Sequence, residues 1–136
     1  MRPARWSSVA VAVLFLAGCG QTHAQTHSGT LRLTAKDNNK VFTVKPHTAI
    51  VVTLASNRST GYRWESAPSS HPLNPLRLVS HRYVAPKKGV PGAAGKEIWR
   101  FRAVSHGGQD LGFLYVRPWE RHKPPAQDIG FSVEVS

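Results

Sequence analysis

From Leu31 to the C-terminus, apolar residues recur at every second position in short runs separated by Gly, Pro, Asn and Asp. The last run is the plainest. Ile129, Phe131, Val133 and Val135 alternate with Gly130, Ser132, Glu134 and Ser136, the period of a strand that buries one face. Leu111, Phe113 and Tyr115 repeat the pattern ahead of Arg117-Pro118, and Trp99, Phe101 and Ala103 repeat it against Arg100 and Arg102. Ile50, Val52 and Leu54 mark another strand, and further strands are expected over 62–65 and 76–83. Leu31-Arg32-Leu33 and Val41-Phe42-Thr43-Val44 flank the turn cluster Asp37-Asn38-Asn39, which predicts a hairpin. No segment carries a sustained helical period. The pattern predicts an all-β, immunoglobulin-like antiparallel β-sandwich of seven or eight strands, with Trp64, Trp99, Phe101 and Tyr115 in its core.

The 136 residues suffice for one domain, and the single Cys excludes an internal disulfide and thiolate metal sites. The first residues are organised differently from the rest. Arg2 and Arg5 precede an apolar run from Val9 to Ala17, too short to span a bilayer and matching a secretory signal. Leu16-Ala17-Gly18-Cys19 then resembles a bacterial lipobox, which implies cleavage after residue 18 and lipid on Cys19. The expected organisation is a lipoprotein signal over 1–18, a lipidated flexible tether over 19–29, and a domain over 30–136. Removing the signal leaves 16 basic against 7 acidic side chains, +9. Gly20 stands where an Asp would resemble an inner-membrane retention signal, so the expected location is the outer membrane of a bacterial envelope. His23 and His27, four residues apart, belong to the polar tether.

Candidate chemistry is sparse. The seven His residues are widely spaced, with no zinc-ligand signature, phosphate-cradling loop or nucleophile elbow. The chain reads as a non-enzyme without metal or cofactor. Its positive charge favours acidic partners, but the cations are spread along the whole sequence and read mostly as solvated surface. An exported protein without a basic stripe is not expected to bind nucleic acid.

Three loops have unusual composition. Asn57-Arg58-Ser59-Thr60-Gly61-Tyr62-Arg63-Trp64 makes a tight turn in which Gly61 can take positive φ. Gly89-Val90-Pro91-Gly92-Ala93-Ala94-Gly95 carries no side-chain chemistry and lets a partner approach the backbone. Arg117-Pro118-Trp119-Glu120 places a large aromatic and an Arg on a loop, the residue mix of a binding hot spot.

Taken in order, Asn-x-x-Thr-Gly-Tyr-x-Trp, Gly-Ala-Ala-Gly before Glu-Ile-Trp-Arg-Phe, and Arg-Pro-Trp-Glu resemble the chagasin-type inhibitors of cysteine peptidases, over roughly Leu31 to Val135. The resemblance implies three loops at one end of a sandwich, wedged reversibly into the cleft of a papain-like peptidase, the organism's own or a foreign one. It implies that Asn57, Ser59, Thr60, Gly61 and Tyr62 enter the cleft, with Thr60 as the leading contact. Gly92, Ala93, Ala94 and Gly95 would pair along it, and Arg117, Pro118 and Trp119 would pack on the far side. The inhibitor is expected to act as a monomer. Two positions depart from the family pattern. Arg58 replaces the usual Pro, which loosens the loop, and Ala94 replaces a Gly, which strains any positive φ there. A different reading makes the chain an envelope lipoprotein that binds an anionic polymer or another envelope protein through its basic surface.

Overall fold

The computed structural model describes residues 25–67, 74–88 and 90–136; the signal, Cys19, Gly89 and the Pro68 to Pro72 connection lie outside them. Nine strands follow in order: β1 Thr26–His27, β2 Thr30–Thr34, β3 Val41–Val44, β4 Ala49–Ser56, β5 Arg63–Ala67, β6 Leu76–Val84, β7 Gly95–Ala103, β8 Gly107–Val116 and β9 Gln127–Val135. They form a five-stranded sheet, β1-β3-β9-β8-β5, and a four-stranded sheet, β2-β4-β7-β6.

The period-two residues meet between the sheets. Leu31, Leu33, Ile50, Val52, Leu54, Trp99 and Phe101 come from the smaller sheet, and Val44, Trp64, Leu111, Phe113, Ile129, Phe131, Val133 and Val135 from the larger. Phe113 joins the layers, its ring centroid 4.8 Å from Trp99 and 6.4 Å from Phe101, distances at which aromatic pairs attract beyond their buried area. Trp64 is buried, and its indole N–H donates to the carbonyl of Ala55 at 2.8 Å. Tyr115 is only half-buried and packs against the core from its rim.

Three expectations are corrected. The sheets are mixed, since β1·β3, β2·β4 and β3·β9 are parallel pairs. The hairpin over 31–44 does not form, because β2 and β3 belong to opposite sheets. A 3-10 turn at Ala35–Asp37 carries the chain across, closed by the Thr34 N–H donating to the Asp37 carboxylate at 3.0 Å. Asn38 and Asn39 then dock on β9, where the Gly130 N–H donates to Asn38 Oδ1 and the Asn39 N–H to the Gly130 carbonyl, both at 2.8 Å. Finally, the segment read as tether ends in structure: β1 pairs with β3, and the Lys45 N–H donates to the His27 carbonyl at 2.9 Å. Its side chains are too polar to signal a strand; backbone bonds place it, helped by the Thr48 hydroxyl, which donates to the His27 carbonyl at 3.3 Å, and by the His27 ring, 6.2 Å from that of Phe42.

Candidate functional site

Strand register brings the three loops to one end. Ser56, closing β4, lies opposite Gly95, which opens β7. Lys96 lies opposite Val84, the last residue of β6. In the other sheet Arg63 and Val116 are paired, as are Tyr115 and Gln127. Thr26 and His27 of β1 pair with Thr43 and Val44, which lie beside Glu134 and Val135, so β1 sits at the end of the sandwich away from these loops.

The first loop is built from its own polar groups. Asn57 Oδ1 accepts from the Ser59 N–H at 3.2 Å and from its hydroxyl at 2.6 Å, capping a 3-10 turn over Arg58–Thr60. The Thr60 hydroxyl donates to the Asn57 carbonyl at 2.7 Å. Gly61 closes the turn at φ 80°, a left-handed conformation that costs glycine nothing. Ser59 and Thr60 remain exposed at the tip.

The third loop locks onto the first. The Arg117 Nε–H donates to the Thr60 carbonyl at 3.1 Å, and its guanidinium lies 4.5 Å from the centre of the Tyr62 ring. Tyr62 stacks on Tyr115 at 5.1 Å, and the Asn57 N–H donates to the Tyr115 hydroxyl at 2.9 Å. Trp119 is 67% exposed, yet its ring covers Gly61 so closely that any Cβ there would overlap it. Pro118 and Trp119 line a shallow groove with Arg58, Gly61, Tyr62 and Arg63. Glu120 turns back to Lys123 at 3.0 Å, a hydrogen bond that holds its carboxyl below the ordinary range.

The second loop stands beside these two and joins them at its base. Gly92 has φ 74° with open space around it. Ala94 does not take positive φ, so the strain expected for it is absent. Gly95 is not at the tip: it is buried at the start of β7, where a Cβ would collide with the Val84 carbonyl and the Tyr83 ring.

Sequence reading missed the carboxylate beneath this end. Glu97 is fully buried, and its Oε1 accepts from the Ser56 hydroxyl at 2.8 Å and the Trp64 N–H at 3.0 Å. Oε2 lies 2.9 Å from His81 Nε2, whose ring stacks on Trp99 at 4.2 Å. Arg58 reaches the same oxygen at 3.8 Å and lies 4.1 Å over the Tyr83 ring. Arg58 therefore fastens the first loop to the base of the second, where the sequence suggested a loosened turn. Only the Trp99-type spacing of inward positions hinted at Glu97, an acid at an apolar position. Ser56 and His81 both address the carboxylate, so this cluster does not have the hydroxyl–imidazole–carboxylate order of a catalytic triad. Among the described residues no cluster of three His, Cys, Asp or Glu is placed to hold a metal.

Residues 43–135 match the chagasin family of peptidase inhibitors, I42. The chain belongs to this family. It is 27% identical over 90 residues to chagasin of Trypanosoma cruzi, covering 65% of this chain and 82% of that protein. Amoebiasin-2 of Entamoeba histolytica is 26% identical over 125 residues, 90% of this chain and 96% of that protein. The crystal structure of the cysteine protease inhibitor EhICP2 from Entamoeba histolytica superposes with a TM-score of 0.71 at 22% identity, covering 79% of this chain and 96% of that one. The fold of this chagasin-family chain is thus shared with a solved inhibitor.

Proposed function

We propose that the domain is a reversible, competitive, non-covalent inhibitor of papain-like cysteine peptidases, and not an enzyme. One observation carries the reading: the exposed Ser59-Thr60 tip is held from below by Arg117 and from the side by Trp119, so two loops form a single preformed edge. A wedge ordered before binding keeps the affinity that loop ordering would otherwise subtract. An interface of ordinary size, about 1,600 Å² in total, then supports nanomolar binding. Thr60 leads into the cleft, with Asn57 and Gly61 shaping its turn. Gly92, Ala93 and Ala94 lie along one wall, and Pro118 and Trp119 pack on the other. Tyr62 and Gly95 support these contacts from beneath.

The leader pattern further supports export and lipidation at Cys19. Fluorogenic assay of papain and a cathepsin L-type enzyme with residues 25–136, which hold every described strand, tests the inhibitor reading. Metabolic labelling with palmitate, lost in Cys19→Ser, tests the anchor.

A further inference from the structure

The cations that are scattered along the sequence are gathered by the pairing of the four-stranded sheet. Apart from the Glu97 cluster its inward positions are apolar, so Arg32 on β2, Arg77 and Arg82 on β6, and Lys96, Arg100 and Arg102 on β7 all occupy its outer face and are exposed. Arg77 pairs directly with Arg102, and Val51, flanked in register by Arg32 and Arg100, is only 4% exposed despite facing outward. Long Arg stems cover apolar surface in this way while the charged heads stay in water.

No acid shares this face. Of the 7 acidic residues in the chain, Glu65, Asp110, Asp128 and Glu134 lie on outward positions of the five-stranded sheet, Glu97 is buried, and Asp37 and Glu120 lie in turns. Among the described residues none of the six cations has an ion-pair partner. Like charges placed side by side repel, and an anion bound across them would relieve the repulsion.

We infer that this face binds a linear polyanion, a chain carrying a sulfate, carboxylate or phosphate on successive units. Two features select a linear chain over a flat surface. Five of the six cations lie on the neighbouring strands β6 and β7, a strip about 5 Å between strands and about 20 Å along β7 from Lys96 to Arg102. All but one are Arg, whose planar fork grips oxyanions through two parallel hydrogen bonds. A second copy of the chain is a poorer fit, because two of the four acids on its other face are already engaged: Glu65 pairs with Arg63 at 3.4 Å, and Asp110 accepts from Ser132 at 2.7 Å. The strip runs along the side of the sandwich, so an occupied strip leaves the loop end open.

The test compares residues 25–136 with two triple variants of equal charge, Arg77→Gln/Arg100→Gln/Arg102→Gln on the face and Lys36→Gln/Lys45→Gln/Arg121→Gln off it. Probes are a heparin decasaccharide, an inorganic polyphosphate, and vesicles of phosphatidylcholine with phosphatidylglycerol, titrated across a salt series; thermal melts verify folding. The face variant is expected to lose at least about tenfold in affinity for heparin or polyphosphate, with the salt slope shallower by about 2, while the off-face variant loses less than half as much. Preference between heparin and polyphosphate names the source of the polyanion. Equal losses by both variants reduce the effect to net charge and overturn the proposal. So does vesicle binding tighter than polymer binding, or self-association that only the face variant abolishes. Inhibition of papain is expected to be unchanged in the face variant, so failure here is separable from failure of the inhibitor reading.

Discussion

The indole of Trp119 occupies the space a side chain at residue 61 would need: a Cβ on Gly61 would overlap Cη2 and stand 2.9 Å from Cζ2. The bare glycine is thus what lets the third loop close over the first. Gly61→Ala adds strain at positive φ, about 1 kcal/mol, and also pushes the ring away. The expected result is a modest fall in melting temperature and a rise in inhibition constant of about tenfold to a hundredfold, comparable to Trp119→Ala. Because both changes break one contact, the double variant should be little worse than either single one. Independent, additive losses would contradict the coupling.

Arg58 tests whether the departure from the family's proline is compensated. Asn57 already has φ −106° and ψ 91°, outside the helical region that a following proline disfavours, and Arg58 opens the turn where proline is tolerated. Arg58→Pro loses the guanidinium's contacts but fixes φ where the turn opens, which cuts the ordering cost, so it should inhibit about as well as the parent. Arg58→Ala removes the contact with Tyr83 and Glu97 and should weaken inhibition by about twofold to fivefold, since an exposed cation–π contact is worth about 0.5–1 kcal/mol. Equal inhibition by the parent and Arg58→Ala would remove the guanidinium from the loop's support.

Glu97 is expected to matter for stability before binding. Replacing it with Ala orphans Ser56 and the Trp64 N–H and leaves Arg58 and His81 unpaired. A buried donor left without its acceptor costs about 1–3 kcal/mol, and two are orphaned here. Urea unfolding of Glu97→Ala measures it; a loss below about 1 kcal/mol would contradict the role assigned to this carboxylate.

Asp37 gives a dependence on pH. The Thr34 backbone N–H and Lys40 hold its carboxyl below the ordinary value of 3.8. A carboxyl depressed in the folded state stabilises above its unfolded pKa and loses that contribution as pH falls through the folded value. The stability gap between the parent and Asp37→Asn should be present at neutral pH and close on acidification below the ordinary value. A gap that widens on acidification would reverse the sign of this linkage.

Strands were legible wherever one face is buried, because the period of two survives in residues such as Ile129 to Val135 whatever the pairing. Pairing was not, since the partner of β2 is set by a 3-10 turn and two Asn–Gly130 bonds that carry no hydrophobic signal. The loop residues stood out by composition, but their supports did not. Arg58 finds Tyr83 and Glu97 across strands separated in sequence, and Gly95 is required by the Tyr83 ring packed over it. The cationic strip was hidden for the same reason: Arg77 and Arg102 become neighbours only through antiparallel pairing of β6 with β7.

The most direct test of the inhibitor reading is titration of papain with residues 25–136 and with Thr60→Glu, using a fluorogenic substrate at several concentrations. The account predicts competitive inhibition at nanomolar inhibitor for the parent and loss of at least about a hundredfold for Thr60→Glu, which places a bulky charge on the leading tip without touching the core. Equal inhibition by the two proteins, or none by a folded parent at micromolar concentration, would contradict the wedge.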